Sequence, residues 1–203
     1  MQQKQPQIPR NRQSVELSPR DYDVAGLPTR YFNPGELERL LHLYESVSPE
    51  VIIEFGVNTG RNALAALRNI DTLKKYVGID VTPDYQTIMP VQRKEIPAKP
   101  GELAIHNPKF ELIVKDNGSF DLTADDLPMC DAVFIDADHS RKGVMNDRQL
   151  SLKVVKPGGI IIYHDDNCMI AVEVTETLND LCATGAKIIH VAGTWLAYEH
   201  VDG

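Results

Sequence analysis

The sequence predicts an α/β fold in which a doubly wound, mostly parallel sheet of seven strands ends in a C-terminal antiparallel hairpin. Short apolar runs of strand length alternate with segments of helical periodicity, which is typical of parallel sheets covered by helices. A glycine-bounded turn, GVNTG at residues 56–60, directly follows the first apolar run. The last two apolar runs, 187–191 and 194–198, are separated by only two residues, which favours a hairpin.

Composition indicates one globular domain with a short N-terminal extension. Of the 203 residues, 42% are hydrophobic and 25% are charged, which is ordinary for a globular chain. We expect residues 21–203 to form the domain. Residues 1–20 are rich in Gln, Pro and Arg and are expected to be a flexible arm.

Charge and hydropathy narrow the choice of partners. A net charge of −8 disfavours nucleic acid as a partner, because an acidic chain argues against the large basic face that binds a phosphate backbone. No apolar segment has the length of a signal peptide core or a bilayer span, so the sequence predicts a cytoplasmic protein with no membrane partner. The three cysteines lack metal-ligand spacing and are expected to be reduced. A homo-oligomer is left open.

The first helix and the first strand follow from residue type and spacing. Asn33 is a good N-cap and Pro34 suits the first helical position, and leucines then recur at helical spacing up to Tyr44. The β-branched start of VIIEF at residues 51–55 predicts a strand buried on both faces. Alanines and leucines at residues 63–67 predict the helix after the glycine turn.

The remaining elements alternate in the same way. Strands are predicted at 75–80, 110–115, 131–136 and 160–163, and helices at 142–155 and 169–182. The stretch 82–108 is the exception, because five prolines interrupt any long helix there. Long irregular connections are often lids or binding loops, so residues of this stretch are candidates to line a substrate entrance. The candidates are Tyr85, Met89, Gln92 and Arg93; a structural insertion or a subunit contact is the alternative.

The turn after the first strand has the geometry of a cofactor cradle. Backbone N–H groups at a helix N-terminus face a ligand, and glycines let that ligand approach closely. The turn fits neither the dinucleotide fingerprint G-x-G-x-x-G nor the phosphate loop G-x-x-x-x-G-K-[ST]. Asp80 ends the next strand, where a carboxylate can accept hydrogen bonds from ribose hydroxyls. Its alternative is a plain turn residue before Thr82 and Pro83.

The turn also resembles the first motif of class I S-adenosylmethionine-dependent methyltransferases, and the likeness becomes specific over residues 130–166. That segment has an apolar strand ending in DADH, a helix, a KPGG turn and an apolar strand ending in HDD. It resembles the small-molecule O-methyltransferase branch of the family. The resemblance covers roughly residues 33–199. It implies a Rossmann-like fold, S-adenosylmethionine as cofactor, and methyl transfer to an oxygen, less favourably a nitrogen, of a small molecule.

Carried over residue by residue, the resemblance implies a set of cofactor-binding positions. They are Glu54, Gly56, Asn58 and Gly60 around the methionine and ribose portion, Asp80 at the ribose hydroxyls, Asp116 and Asn117 near the adenine, and Asp136 at the sulfonium. Asn58 departs from the family pattern, in which many members carry another glycine.

The ends of the predicted fourth and fifth strands carry the catalytic candidates. Neighbouring strands lie about 4.8 Å apart, so Asp136, His164 and Asp165 should converge. Two carboxylates and an imidazole suit Mg²⁺ or Mn²⁺. His164 and Asp165 stand where metal-dependent relatives carry two of their ligands, although the catechol-type branch has an acid in place of the histidine. In the metal-free alternative, His164 or His139 is the general base, with a near-neutral pKa.

Two other functions compete with small-molecule methylation. Nucleic-acid methyltransferases that act on amino groups carry [DNS]-P-P-[YFW] after the fourth strand, where this chain has DADH at residues 136–139. A non-catalytic protein could also keep the fold and the cofactor, because fold does not fix function.

Overall fold

The computed structural model describes residues 8–9, 12–28 and 33–202. The strands in these residues are β1 Ser14–Val15, β2 Val51–Phe55, β3 Lys75–Val81, β4 Phe110–Lys115, β5 Cys130–Ile135, β6 Val155–Tyr163, β7 Ile189–Val191 and β8 Ala197–His200. They form one sheet in the order β1-β7-β8-β6-β5-β2-β3-β4. Only β8 runs antiparallel to its neighbours β6 and β7 in this described part. The doubly wound, mostly parallel sheet and the C-terminal antiparallel hairpin are confirmed.

The helices cover both faces of the sheet. They are α1 Glu36–Glu45, α2 Arg61–Asn69, α3 Pro90–Glu95, α4 Arg141–Val154 and α5 Val172–Ala183, with short 3-10 turns at Gly118–Asp121 and Ala124–Asp126. Leucines of α1 and alanines of α2 pack on one face of the central strands, and apolar residues of α4 and α5 pack on the other. Within the described part of the chain, no helix has both the length and the apolar character needed to cross a bilayer.

The first helix begins later than its sequence predicts. Gly35, with φ of 71°, precedes Glu36, the first helical residue, and Asn33 is not the N-cap. The Asn33 amide instead donates a hydrogen bond of 2.8 Å to the Glu36 carboxylate. This contact keeps the Asn33 side chain from capping backbone N–H groups.

The eighth strand comes from the predicted arm. Residues 1–7, 10 and 11 of that arm lie outside the described residues. In the rest of it, β1 pairs in parallel with β7, and the guanidinium of Arg12 donates hydrogen bonds of 2.9 and 2.8 Å to the Asp166 carboxylate. The flexible arm expected over residues 1–20 therefore does not extend to residues 12–15. An ion pair and strand pairing hold a segment that has few apolar residues, and the single domain over 21–203 stays a prediction.

The parallel strands place the candidate site residues at one edge of the sheet. β2, β3, β5 and β6 all end there, and Ile135 of β5 pairs with Tyr163 of β6. The glycine turn, Asp136 and His164 directly follow three of these strand ends, and Asp80 is the second-last residue of β3. This is the edge at which open α/β sheets bind their ligands.

Candidate active site

A cavity of about 640 Å³ opens at this edge of the sheet. Its volume lies in the range of small-molecule binding sites. One side of it, here called the loop wall, consists of residues 56–59, Asp80 and residues 117–120. The other side, here called the charged wall, consists of Asp136, His139, His164 and Asp165.

The glycine turn forms the base of the loop wall. Gly56 has φ of 85°, and a Cβ there would lie 2.1 Å from the carbonyl oxygen of Asp136. Only glycine therefore lets the loop pass so close to the end of β5. Gly60, also at φ 85°, precedes the first residue of α2 but does not line the cavity.

Asp80 lies in the loop wall with both carboxylate oxygens engaged. Oδ2 accepts a hydrogen bond of 2.7 Å from the Asn58 N–H, and Oδ1 accepts one of 2.8 Å from the Val81 N–H. Burial raises the pKa of Asp80 to about 6, although these two donors oppose the shift. The carboxylate thus lies where the sequence predicts a partner for ribose hydroxyls and is ionised at neutral pH.

Glu54 lies behind the loop wall and does not line the cavity. It is fully buried, and its two oxygens accept hydrogen bonds from the Asn62 amide at 2.7 Å and the Tyr76 hydroxyl at 2.8 Å. Burial raises the pKa of Glu54 to about 8. In this structure Glu54 fixes the start of α2 from below.

The turn after β4 supplies the far end of the loop wall. Asn117 lines the cavity as predicted, whereas Asp116 is exposed and does not line it. Sequence reasoning missed Ser119, whose hydroxyl donates to the fully buried Asp147 of α4. Burial raises the pKa of Asp147 to about 7. No sequence pattern links Ser119 to an acid 28 residues away.

The charged wall brings together the catalytic candidates from β5 and β6. His164 Nδ1 lies 3.1 Å from Asp136 Oδ1, and His139 Nε2 lies 3.0 Å from Asp165 Oδ2. Asp165 has φ of 59°, a left-handed conformation that aspartate adopts more readily than most residues. The predicted convergence of Asp136, His164 and Asp165 is therefore present, and His139 joins it.

The carboxylates hold both imidazoles in the charged form. Burial lowers the pKa of His139, but hydrogen bonds to Asp136 and Asp165 outweigh it and raise the pKa to about 10. Burial also opposes ionisation of His164, yet the neighbouring carboxylates raise its pKa well above the usual value. The near-neutral pKa expected for a histidine base is thus not found in this arrangement.

Glu36 completes the charged wall from outside the cavity, and sequence reasoning missed it. Its Oε1 lies 3.0 Å from His164 Nε2, and its Oε2 accepts hydrogen bonds from the Trp195 N–H and the Asn33 amide. Glu36 is fully buried. An acid in the first turn of a helix is common because its negative charge interacts favourably with the helix dipole. The position of Glu36 in the sequence therefore gave no signal of this contact.

Three side chains of the charged wall could hold a metal ion. One ligand atom from each of Asp136, His139 and Asp165 lies within 4.8 Å of the other two. The sequence predicted His164 as the third member of this set. The structure instead directs the ring nitrogens of His164 toward Asp136 and Glu36, so His164 braces the set from behind. Two carboxylates and an imidazole suit Mn²⁺ and, less fully, Mg²⁺.

Comparison with solved structures gives the fold. The cofactor-bound protein Rv0187 from MTB is similar at a TM-score of 0.59 and 20% identity, over 89% of this chain and 86% of that one. The O-methyltransferase TomG from Streptomyces achromogenes, in complex with SAM, has a TM-score of 0.56 and 16% identity, over 81% and 79%. An O-methyltransferase from Bacillus cereus, in complex with SAH, has a TM-score of 0.56 and 17% identity, over 87% of this chain and 85% of that one.

Comparison of the sequence gives the family. A search of curated protein sequences finds no match. Residues 53–165, from the first core strand to the last residue of the charged wall, match a family model described as a methyltransferase domain. Because this match spans more than half of the chain and contains both walls of the cavity, the protein belongs to the methyltransferase-domain family.

Proposed function

We propose that the protein transfers the methyl group of S-adenosylmethionine to an oxygen of a small-molecule acceptor, a nitrogen being the less favoured target. The observation that carries the proposal is the meeting of the loop wall and the charged wall in one cavity of about 640 Å³. Family membership supports methyl transfer. The SAM and SAH in the structures of TomG and the Bacillus cereus enzyme support the cofactor.

The loop wall has the groups that a nucleoside cofactor requires. Asp80 is ionised at neutral pH and can accept hydrogen bonds from two ribose hydroxyls. Gly56 leaves the loop backbone open to close approach. Phe120 lines the same side of the cavity and adds an aromatic side chain to it. S-adenosylmethionine supplies a methyl group that is already activated. The protein must therefore bind the cofactor and the acceptor, orient them and exclude water.

The charged wall has the groups that receive a hydroxyl proton. With both imidazoles protonated, Asp136 and Asp165 are the members of the wall able to accept a hydrogen bond from an acceptor hydroxyl. Asp136, His139 and Asp165 would hold a divalent cation, which lowers the pKa of a neighbouring hydroxyl. His139 must lose its proton to ligate, so metal binding would release a proton.

The first experiment measures cofactor binding and then methyl transfer. Saturating S-adenosylhomocysteine at a hundredfold excess over Kd should stabilise the fold by about 2.7 kcal/mol, seen as a higher Tm. Radiolabelled S-adenosylmethionine should then label a metabolite extract and leave RNA, DNA and protein unlabelled. The absence of a Tm shift would remove the cofactor from the proposal. Label in RNA or DNA would support a nucleic-acid methyltransferase, and binding without label in any fraction would support a non-catalytic protein.

The same methyl-transfer assay tests whether activity requires a divalent metal. Activity should fall on chelation and return on addition of Mg²⁺ or Mn²⁺ if Asp136, His139 and Asp165 hold a cation. Turnover that resists the chelator would remove the metal from the proposal. The carboxylates alone would then have to accept the proton.

A further inference from the structure

The first half of the proline-rich connection between β3 and β4 contributes residues to the lining of the cavity, whereas Ala104, later in this connection, packs into the core. Its helix α3, Pro90–Glu95, has no buried residue. Gln92, Glu95 and Ile96 line the cavity beside the loop wall. Of the residues predicted to line an entrance, Tyr85 and Gln92 do so, whereas Met89 and Arg93 do not. A segment with so little buried apolar surface belongs to the least stable part of a fold.

Two hydrogen bonds hold α3 at the cavity. The Asn58 amide donates a hydrogen bond of 2.7 Å to the carbonyl oxygen of Glu95, from the loop wall. The Gln92 amide donates one of 2.9 Å to the carbonyl oxygen of Ala137, which follows Asp136 of the charged wall. The two bonds therefore join α3 to the loop wall and to the residue after Asp136 of the charged wall.

Asn58 stands where many members of the family that the sequence resembles carry another glycine. Its φ of 49° is one that glycine adopts freely and asparagine tolerates. Its Oδ1 accepts a hydrogen bond of 2.8 Å from the Thr59 N–H, which fixes the side chain, and Nδ2 is then directed at Glu95. The backbone conformation does not require a side chain here, so the contact with α3 is what asparagine adds.

We propose that Asn58 and Gln92 latch α3 as a cover over the cofactor half of the cavity, and that this latch sets the rate at which S-adenosylmethionine enters and S-adenosylhomocysteine leaves. The proposal rests on the proposed cofactor. A single hydrogen bond of this kind changes an equilibrium constant by about 2- to 10-fold. Loss of either latch residue should raise the open population of α3 by that factor.

Stopped-flow binding of S-adenosylhomocysteine tests the latch in the full chain. Asn58→Gly keeps the positive φ, and Gln92→Ala removes the second bond; each should raise both the association and the dissociation rate constants about 2- to 10-fold. Kd should change by less than about twofold, because a gate acts on both directions equally. A rise in the dissociation rate alone would overturn the proposal, since it identifies a lost direct contact. Unchanged rate constants in both variants would also overturn it.

Gln86→Ala is the matched control. Gln86 belongs to the same connection, is exposed and donates a local hydrogen bond of 2.9 Å to the Asp84 carbonyl oxygen. Both rate constants should equal those of the wild type, and a change as large as that of Gln92→Ala would overturn the latch.

Hydrogen exchange separates failure of the latch from failure of the proposed function. The Arg93 and Ile96 N–H groups donate hydrogen bonds within and just after α3. Their exchange should be about 2- to 10-fold faster in Asn58→Gly and Gln92→Ala, with or without a ligand. If the wild type does not bind S-adenosylhomocysteine, the proposed function fails, and unchanged exchange would overturn the latch independently.

Discussion

The two walls of the cavity are built in different ways. The loop wall consists of three short segments, and its geometry depends on backbone conformation at Gly56 and on backbone donors to Asp80. The charged wall consists of ionisable side chains that hold one another, and its partner Glu36 lies 128 residues from His164. One wall is therefore shaped by the backbone, whereas the other is shaped by contacts between side chains.

Carboxyl groups at the two walls have pKa values that are shifted in opposite directions. Burial raises the pKa of Glu54 to about 8 and that of Asp80 to about 6. In the charged wall, burial is outweighed by the charge of His164, which holds the pKa of Asp165 well below its usual value. Asp80 in the loop wall and Glu54 behind it can therefore change protonation near neutral pH, whereas Asp165 of the charged wall stays ionised.

The largest expected effect is on turnover and comes from the charged wall. Asp136→Asn keeps the shape of the side chain and removes the charge that faces His164 and His139. We expect kcat to fall by about 10²- to 10⁴-fold, the usual contribution of proton transfer by a positioned group. Cofactor affinity, measured by calorimetry, should change far less, because Asp80 and the glycine turn are intact.

Asp131→Asn provides the control for that measurement. Asp131 lies at the opposite end of β5 and accepts hydrogen bonds from the Glu50 and Val51 N–H groups. Its kcat should match the wild type. If Asp136→Asn weakened cofactor binding as much as turnover, the two walls would act as one site and the comparison would fail.

The next effect is on stability and tests how the charged wall is anchored. The side chains of Arg12 and Asp166 are 1% and 0% exposed, and Asp166 directly follows Asp165. Arg12→Ala would leave a buried carboxylate without its guanidinium, which costs about 3–5 kcal/mol. His190, with Nδ1 2.8 Å from Asp166 Oδ2, remains as a partner. Urea denaturation measures the loss of unfolding free energy.

Arg20→Ala is the matched change in the same segment. Arg20 pairs with Glu45 at the surface, where the two side chains are 56% and 33% exposed. An exposed pair of this kind contributes about 0–1 kcal/mol. Equal, small effects of both variants would mean that the segment is dispensable, as the sequence alone predicts for an arm of residues 1–20.

These comparisons show what the sequence can and cannot predict. The succession of strands and helices along the chain, the glycine turn and the position of Asp80 follow from local patterns, because each depends on residues that are close in the chain. Asp136 and His164 follow from strand ends plus the parallel arrangement. Glu36 and Arg12 could not be predicted, because their roles depend on which distant side chains they meet.

His139, in the loop 136–140, is intermediate between residues that the sequence predicts and residues that it does not. The sequence places His139 after β5 and leaves its partner open. The structure brings it within 3.0 Å of Asp165, so His139 and not His164 completes the candidate metal set. A residue four positions beyond a strand end can face several directions, and only the folded loop selects one.

The smallest expected effect is on cofactor affinity and comes from the loop wall. Asp80→Asn removes a charged acceptor from the ribose position, which should weaken S-adenosylhomocysteine binding by about 10- to 100-fold, or about 1.5–3 kcal/mol. Asp71→Asn, at an exposed acid between α2 and β3, should not change it. Equal affinities for both variants would show that the cofactor does not contact Asp80.

The pH dependence of the same binding sharpens the test. Because the pKa of Asp80 is raised to about 6, its contribution to folding stability is present below its unfolded pKa and is lost as the pH rises through about 6. Binding has the opposite sign, since ribose hydroxyls donate to the ionised form and affinity should increase from pH 5 to pH 7. In Asp80→Asn this increase should be absent, and calorimetry at both pH values measures it. An unchanged pH dependence in the variant would assign the titration to another group, and the loop wall would then bind its ligand through backbone groups alone.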